Sequence, residues 1–310
     1  MIYTVSANPA IDMTLTVPEL VFEEVLRATA VSRVWGGKAF NVSRTLKRLG
    51  LDSVAMAFAG GYTGQGLQQG LESEGIATDF VEVAGETRTN VVFYDATKGT
   101  FIKVNQPGAA VSEDEHRRFL DRARARVAAG DIWVMSGSLP PGLPTHFYAE
   151  LVELLHAGNA RAVLDTSGKA LHAGCAARPW LVKPNVEEAR ELTGRPVRSV
   201  ADGCQAAGAF LAAGAQQVAL SLGAQGLIFA DGTRVLHTRP PQVPVLTAVG
   251  AGDALLGGLV WALSQGKPVD EVARWGVTTG TTYAMNDALP ENPWEALAEI
   301  YRQVQVETLH

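Results

Sequence analysis

Short apolar runs alternate with longer segments of helical period along most of this chain, and no other feature restricts its fold so strongly. Residues 2–6, 53–58, 132–135, 162–164, 180–182 and 218–222 read as strands. Between and after them, apolar groups recur at helical spacing. Over 39–49 they fall at 39, 42, 46 and 49, with Gly50 placed where a helix ends. Ser112-Glu113-Asp114-Glu115 is a capping box that opens a helix reaching about Val127. Further helices are expected over 146–156, 200–211, 254–263 and 268–285, and a last one from Pro293 toward the C-terminus. Strands joined in this way predict an α/β fold with a doubly wound, mostly parallel sheet flanked by helices.

Two stretches break the rhythm. Residues 12–17 and 30–34 have strand character with no helix between them, as do 90–94 and 100–104, which are joined by the turn-like Asp95-Ala96-Thr97-Lys98-Gly99. They predict a small discontinuous β lid, from 12–35 and 87–105, over a core made of 1–11, 36–86 and 106–310. No internal repeat competes with this reading.

Composition excludes several function classes. A net charge of −6 without a basic run argues against a nucleic-acid partner, whose phosphates need clustered cations. Cys175 and Cys204 lack any metal-ligand spacing and read as ordinary thiols. The first residues lack a basic leader with an apolar core, and no apolar stretch approaches the roughly 20 residues of a membrane span. A cytoplasmic protein with no membrane partner is the expectation.

The segment richest in chemistry is Val249-Gly250-Ala251-Gly252-Asp253, read as following a strand and opening an apolar helix. Small residues let backbone N–H groups approach an anion, and a helix N-terminus adds partial positive charge there. Asp253 at that turn can accept the proton of an attacking hydroxyl beside the anion cradle, which is most of what phosphoryl transfer requires. Alone, the same pattern describes a simple helix cap. A P-loop is absent, and Gly64-Gln65-Gly66 with Gly70 misses the dinucleotide fingerprint by one position, so it reads as a turn and helix start. The strand at 53–58 also lacks the terminal acid a dinucleotide-binding fold would use.

Further motifs occur in a fixed order: Asn8-Pro9-Ala10-Ile11-Asp12, Gly36-Gly37-Lys38 with Asn41-Val42, Thr87-Arg88-Thr89-Asn90, Ser136-Gly137-Ser138-Leu139-Pro140, Asp165-Thr166-Ser167, Lys183-Pro184-Asn185-Val186-Glu187-Glu188 and Ser221-Leu222-Gly223-Ala224-Gln225-Gly226. Over nearly its whole length the chain resembles the ribokinase-like, pfkB family of carbohydrate kinases, nearest the 1-phosphofructokinase and tagatose-6-phosphate kinase branch that acts on phosphorylated ketohexoses. The resemblance implies a kinase using ATP and Mg2+, with Asp253 as base and Gly250, Ala251 and Gly252 forming the anion hole together with the Asp253 amide. It implies sugar contacts from Asp12, Gly37, Lys38, Asn41, Arg88, Lys103 and Ser136, with Lys38 and Arg88 clamping an existing phosphate. Lys183, Asn185, Ser221, Gly223 and Gly226 are expected on the nucleotide. Asn185 and Glu188 are expected to hold magnesium through water. Ala39-Phe40, Lys103 and Thr247-Ala248 depart from the family pattern. With fructose 1-phosphate as the expected acceptor, alternatives are a tagatose-6-phosphate kinase or 6-phosphofructokinase of the same family, a kinase of an unphosphorylated sugar or nucleoside, a non-catalytic sugar or nucleotide sensor, and a nicotinamide-dependent oxidoreductase. A homodimer is expected through the lid, with Val31, Val34, Val92 and Phe93 exposed on one sheet face.

Overall fold

The first strand, β1 (Ile2–Ser6), is buried along its whole length, and its side chains divide between two cores. Tyr3 and Val5 enter one cluster with Trp133, Phe119, Phe147 and Tyr148, whereas Ile2 joins Val42, Leu46, Leu256 and Val260 on the opposite face. This is the two-sided burial that near-continuous apolar strands require. The computed structural model describes residues 1–309. After β1 come β2 (Ala10–Val17), β3 (Ala30–Gly36), α1 (Lys38–Arg48), β4 (Val54–Ala59), α2 (Gly61–Ser73), β5 (Ala77–Thr78), β6 (Val81–Glu82), β7 (Arg88–Asp95) and β8 (Thr100–Val104). Next follow α3 (Glu113–Arg126), β9 (Ile132–Ser136), α4 (Phe147–Ala157), β10 (Arg161–Asp165), α5 (Gly168–Ala176), β11 (Leu181–Val182), α6 (Val186–Thr193) and α7 (Val200–Ala212). The chain closes with β12 (Val218–Ser221), β13 (Leu227–Ala230), β14 (Val235–Arg239), α8 (Ala251–Ser264), α9 (Val269–Asn286), α10 (Trp294–Gln303) and β15 (Gln305–Thr308).

Eleven strands form the main sheet in the order β15-β14-β13-β12-β11-β10-β9-β1-β4-β5, with β6 also paired to β4. Pairing is parallel from β4 through β12 and antiparallel from β12 to β15. The chain leaves β1 for β4 on one side and reaches β9 on the other, so the strand order reverses between β1 and β9. The crevice beyond the C-terminal strand ends at such a reversal is where open α/β sheets bind ligands. The strands β3-β2-β7-β8 form a separate four-stranded sheet drawn from two distant pieces of chain.

Several details differ from the sequence expectations. The hairpin β13–β14, absent from the strands expected above, turns at Asp231-Gly232, where Asp231 Oδ1 accepts from the amides of Thr233 and Arg234. Helix α10 stops at Gln303, and alternating Val304 and Val306 pack on the core as the chain turns into strand β15. Gly64-Gln65-Gly66 lies inside α2, not at its start. Residues 240–250 before α8 are irregular, so Gly250 does not directly follow a strand. In the small sheet, Val34 pairs with Asp12 and Val92 with Thr14, whereas Val31 and Phe93 pair with Leu15. Side chains alternate along a strand, so these four valine and phenylalanine groups divide between both faces and do not share one.

The helical layer carrying α8 depends on close approach. A Cβ at Gly258 would overlap Thr279 Oγ1 and lie 2.7 Å from the Trp275 carbonyl oxygen on α9. Gly258→Ala is expected to cost about 1–3 kcal/mol by forcing the two helices apart. Urea unfolding measures it, and an unchanged midpoint would contradict this reading of the contact.

Candidate active site

Strand ends and one helix start bring the charged groups together. Asp253 is the third residue of α8 and is 8% exposed. Its Oδ2 accepts a 2.7 Å hydrogen bond from Asn41 Nδ2 on α1. Asp165, at the end of β10, is 1% exposed. Lys183 Nζ lies 3.3 Å and Lys38 Nζ 3.8 Å from Asp165 Oδ1. Neither lysine makes a directed hydrogen bond to it, and both Asp165 oxygens are buried without such a partner. Lys183 follows β11 and is itself 4% exposed. Its ammonium lies 3.8 Å from where a Cβ on Gly252 would stand, so it faces the first turn of α8.

This cluster sets the acidity of its carboxyls. Burial, and then the Asp165 charge, push Asp253 up from the usual carboxylate range to about 6, while the Asn41 hydrogen bond, Lys183 and Lys38 pull it back. Burial and Asp165 raise Glu188 in the same way, opposed by Lys183, the Asn185 amide and Lys38. Lys38 is raised, chiefly by Asp165, and stays cationic.

The turn at the start of α8 is partly used internally. The Asp253 amide donates to the Gly250 carbonyl at 3.1 Å, as does that of Ala254 at 2.9 Å. The amides of Ala251 and Gly252 have no protein acceptor among the described residues. Of the Ala251, Gly252 and Asp253 amides expected in the anion cradle, two are therefore free donors, because the helix closes its own first turn onto the Asp253 amide.

A second group lies at the foot of the small sheet. Asp12 Oδ1 accepts from Asn90 Nδ2 at 2.8 Å, and the backbone of Gly36 passes against the Asp12 carboxylate. Arg88 donates to the carbonyls of Asn8 at 2.8 Å, Gln106 at 3.0 Å and Pro9 at 3.4 Å. Burial lowers its guanidinium from the ordinary value while Asp12 opposes the shift. Those carbonyls are neutral, so among the groups that act on Arg88 only Asp12 opposes its positive charge. Gly37 caps α1, its carbonyl accepting from Phe40 and Asn41. Lys103 is exposed on the outer strand β8, on the face that Asp12 shares but two strands away.

Among the residues expected on a nucleotide, Ser221 is hydrogen-bonded through its amide to Pro184 O at 2.9 Å, and Asn185 bridges to it in parallel. Gly223 and Gly226 shape the turn between β12 and β13. Gly226 has φ +91°, and a Cβ there would overlap the Thr238 carbonyl oxygen. Only glycine fits both conditions. Asn185 and Glu188 form a reciprocal capping box on α6, at 2.9 Å in each direction. One Glu188 oxygen is thereby taken by the Asn185 amide. Ser136 ends β9 level with Asp165 on β10; it is fully buried and its Oγ has no hydrogen-bond partner. Asn41 turns its Nδ2 toward Asp253, which places it beside that carboxylate.

In the sequence Asp165 stands in the Asp165-Thr166-Ser167 motif with no role of its own. Its signal was a lone carboxylate closing a central apolar strand, which gains meaning once Lys183 from the neighbouring strand end is opposite. Arg44 and Glu74, which hold Asn41 from behind, carry no motif at all.

Residues 4–285 match the pfkB family carbohydrate kinase description. The chain is 34% identical to the 1-phosphofructokinase of Bacillus subtilis (strain 168), over 93% of this chain and 94% of that one. It is also 34% identical to the ATP-dependent 6-phosphofructokinase isozyme 2 of Escherichia coli (strain K12), over 92% and 93%. The crystal structure of phosphofructokinase-2 from Escherichia coli in complex with fructose-6-phosphate superposes with a TM-score of 0.89 at 32% identity, covering 97% of this chain and 98% of that one. With its motifs, sheet order and full-length relatives in agreement, the chain belongs to the pfkB family of carbohydrate kinases and is an ATP-using sugar kinase.

Proposed function

We propose that this kinase phosphorylates the free primary hydroxyl of a phosphorylated ketohexose, with fructose 1-phosphate as acceptor and fructose 1,6-bisphosphate as product. The observation that carries the chemistry is the buried Asp253 carboxylate beside two free amides at the α8 start. Asp253 takes the proton as the hydroxyl oxygen attacks the γ-phosphorus. The bond to ADP breaks, and ADP leaves with its electron pair. The Ala251 and Gly252 amides and Lys183 meet the charge that develops on the transferring group. Lys38, with its side chain 46% exposed, can turn from Asp165 toward a phosphate. Arg88, hydrogen-bonded only to neutral carbonyls, offers a cation near Asp12 on the sugar side. The similarity to a 1-phosphofructokinase supports the choice of acceptor.

The donor set suits magnesium. Among the described residues no cluster of three His, Cys, Asp or Glu could cage a metal, which agrees with an ion held mainly by nucleotide phosphates and water. Glu188, through the oxygen its cap leaves free, and Asn185 would hold that hydrated ion. When bound, it neutralises phosphate charge. The small sheet acts as a lid in this reading, excluding water from the transfer. Val34 and Phe101, 50% and 64% exposed on the Asp12 face, support a homodimer that buries them. Among the described residues no helix is long and apolar enough to cross a membrane.

An ADP-release assay over fructose 1-phosphate, fructose 6-phosphate, tagatose 6-phosphate, ribose and adenosine tests the substrate. The highest kcat/KM is expected with fructose 1-phosphate. Preference for ribose or adenosine would remove the phosphate-binding role of Lys38 and Arg88. Preference for another phosphohexose would move the acceptor within the same class, and absence of ADP with every acceptor would leave only a sensor.

A further inference from the structure

Both ends of the Asn41 amide are committed. Nδ2 donates to Asp253 Oδ2 at 2.7 Å, and Oδ1 accepts from Arg44 Nη1 at 2.9 Å. A guanidinium has only donors and an ionised carboxylate only acceptors. A flipped amide would set N–H against N–H on one side and oxygen against oxygen on the other. Arg44 therefore dictates which end of Asn41 meets the carboxylate.

Arg44 is itself fixed from behind. Its Nε donates to Glu74 Oε2 at 2.6 Å, and Nη2 donates to Glu74 Oε1 at 3.1 Å and to the Trp35 carbonyl at 2.7 Å. Glu74 caps the end of α2, and Trp35 is the penultimate residue of β3. The bidentate fork holds the guanidinium plane, which a single contact could not do. One continuous chain thus runs from α2 and the foot of the small sheet, through α1, to the carboxylate on α8. A salt bridge that merely joined α1 to α2 would need the fork alone. The contact to Asn41 is surplus to that purpose and points at Asp253.

We propose that Arg44, oriented by Glu74, is a positioning residue for the catalytic base: it holds the Asn41 amide so that Asp253 Oδ2 is anchored and Oδ1 stays aimed at the acceptor hydroxyl. This rests on the assignment of Asp253 as base. Anchoring one oxygen removes the rotation that would otherwise blur the angle at which the other meets the hydroxyl. Displacements of an ångström at a reacting group cost as much as about 100-fold in rate.

The groups facing Asp253 are Asp165 from β10, Lys183 after β11, and Lys38 and Asn41 from α1. Tyr283 on α9 also senses the Asp253 charge and the Arg44 charge. Of these only the Asn41 contact depends on Arg44. Its loss removes an influence that favours the ionised base, so the acid limb of the rate profile moves to higher pH.

A cavity of about 600 Å³ lined by Asn41, Arg44, Glu74 and Tyr283 opens beside this chain, so a small cation can reach the Arg44 position. That permits a direct test on the full-length enzyme. Arg44→Ala is expected to lower kcat about 10- to 100-fold with little change in either KM. The acid limb moves up, and millimolar guanidinium chloride restores part of the lost kcat. Arg44→Lys stays impaired, because an ammonium cannot fork Glu74 and reach Asn41 together. Glu74→Gln, which preserves shape, shows a smaller loss in the same direction and serves if Arg44→Ala does not fold. An Arg44→Ala enzyme that melts normally yet keeps the parental kcat and pH profile overturns the proposal. So does a loss matched only by the unfolded fraction and untouched by guanidinium. Asp253→Asn assayed in parallel separates the two assignments. If it retains turnover, the base is wrong; if it is inactive while Arg44→Ala is silent, only the relay is wrong.

Discussion

Asp253→Asn is expected to reduce kcat about 10²- to 10⁴-fold, the range that a positioned general base supplies, while ATP binding is retained. The amide keeps the size of the side chain but cannot accept a proton at the pH of the reaction. Wild-type kcat/KM should fall as pH drops through about 6, the value to which burial and Asp165 push this carboxyl. The same shift has a stability consequence of defined sign. A folded-state pKa raised above the unfolded one means that the group favours folding below its unfolded pKa, and that this contribution is lost as pH rises through the folded value. At pH 8 the ionised, buried Asp253 therefore weakens the fold. Asp253→Asn should raise the unfolding free energy at pH 8 by on the order of 1–3 kcal/mol, and with it the melting temperature, with the advantage shrinking toward pH 4. Thermal melts at both pH values check this. An inactive variant that is no more stable at pH 8 would mean the carboxylate is better solvated than its burial implies.

Lys183→Met should do the reverse and damage the fold. Asp165 is buried to 1% with Lys183 at 3.3 Å, and its remaining cation, Lys38, is at 3.8 Å with a half-exposed side chain. Removing one partner of a buried pair leaves an uncompensated charge and costs about 3–5 kcal/mol. The lost cation also helps to keep Asp253 ionised, so the acid limb moves to higher pH. The transferring phosphate loses a counter-charge, and kcat falls as well. Denaturant unfolding and a pH–rate profile measure the two effects. Adding Asp165→Asn should recover much of the stability without recovering kcat, since the pair is then removed as a unit. A stability loss below ~1 kcal/mol would show that Lys38 alone suffices for Asp165.

Both results turn on groups that differ in how visible they were in the chain. The glycine-rich turn around Asp253 could be read directly, because small residues before an acid at a helix start are a local arrangement. The capping box at Ser112 and Glu115 was local too, and it forms as expected. The central strands were legible because burial on both faces leaves little choice but continuous apolar runs. The hairpin β13–β14 and the terminal strand β15 were harder. Strands that short can be told from loops only by their partners, and their partners lie in separate parts of the chain.

Local sequence determined the α/β class, the order of the main elements and the candidate base, since each follows from periodicity or from chemistry within a few residues. Tertiary structure alone decided which charges meet. Asp165, Lys183, Lys38 and Asp253 come from four separate elements and converge only when parallel strands align their C-terminal ends. The hold of Arg44 and Glu74 on Asn41 is likewise a product of packing, because α1, α2 and α8 meet across distances in sequence that no periodic pattern records. Through-space electrostatics depends on a few ångströms of separation and on exclusion of water, and both are fixed only by the folded chain.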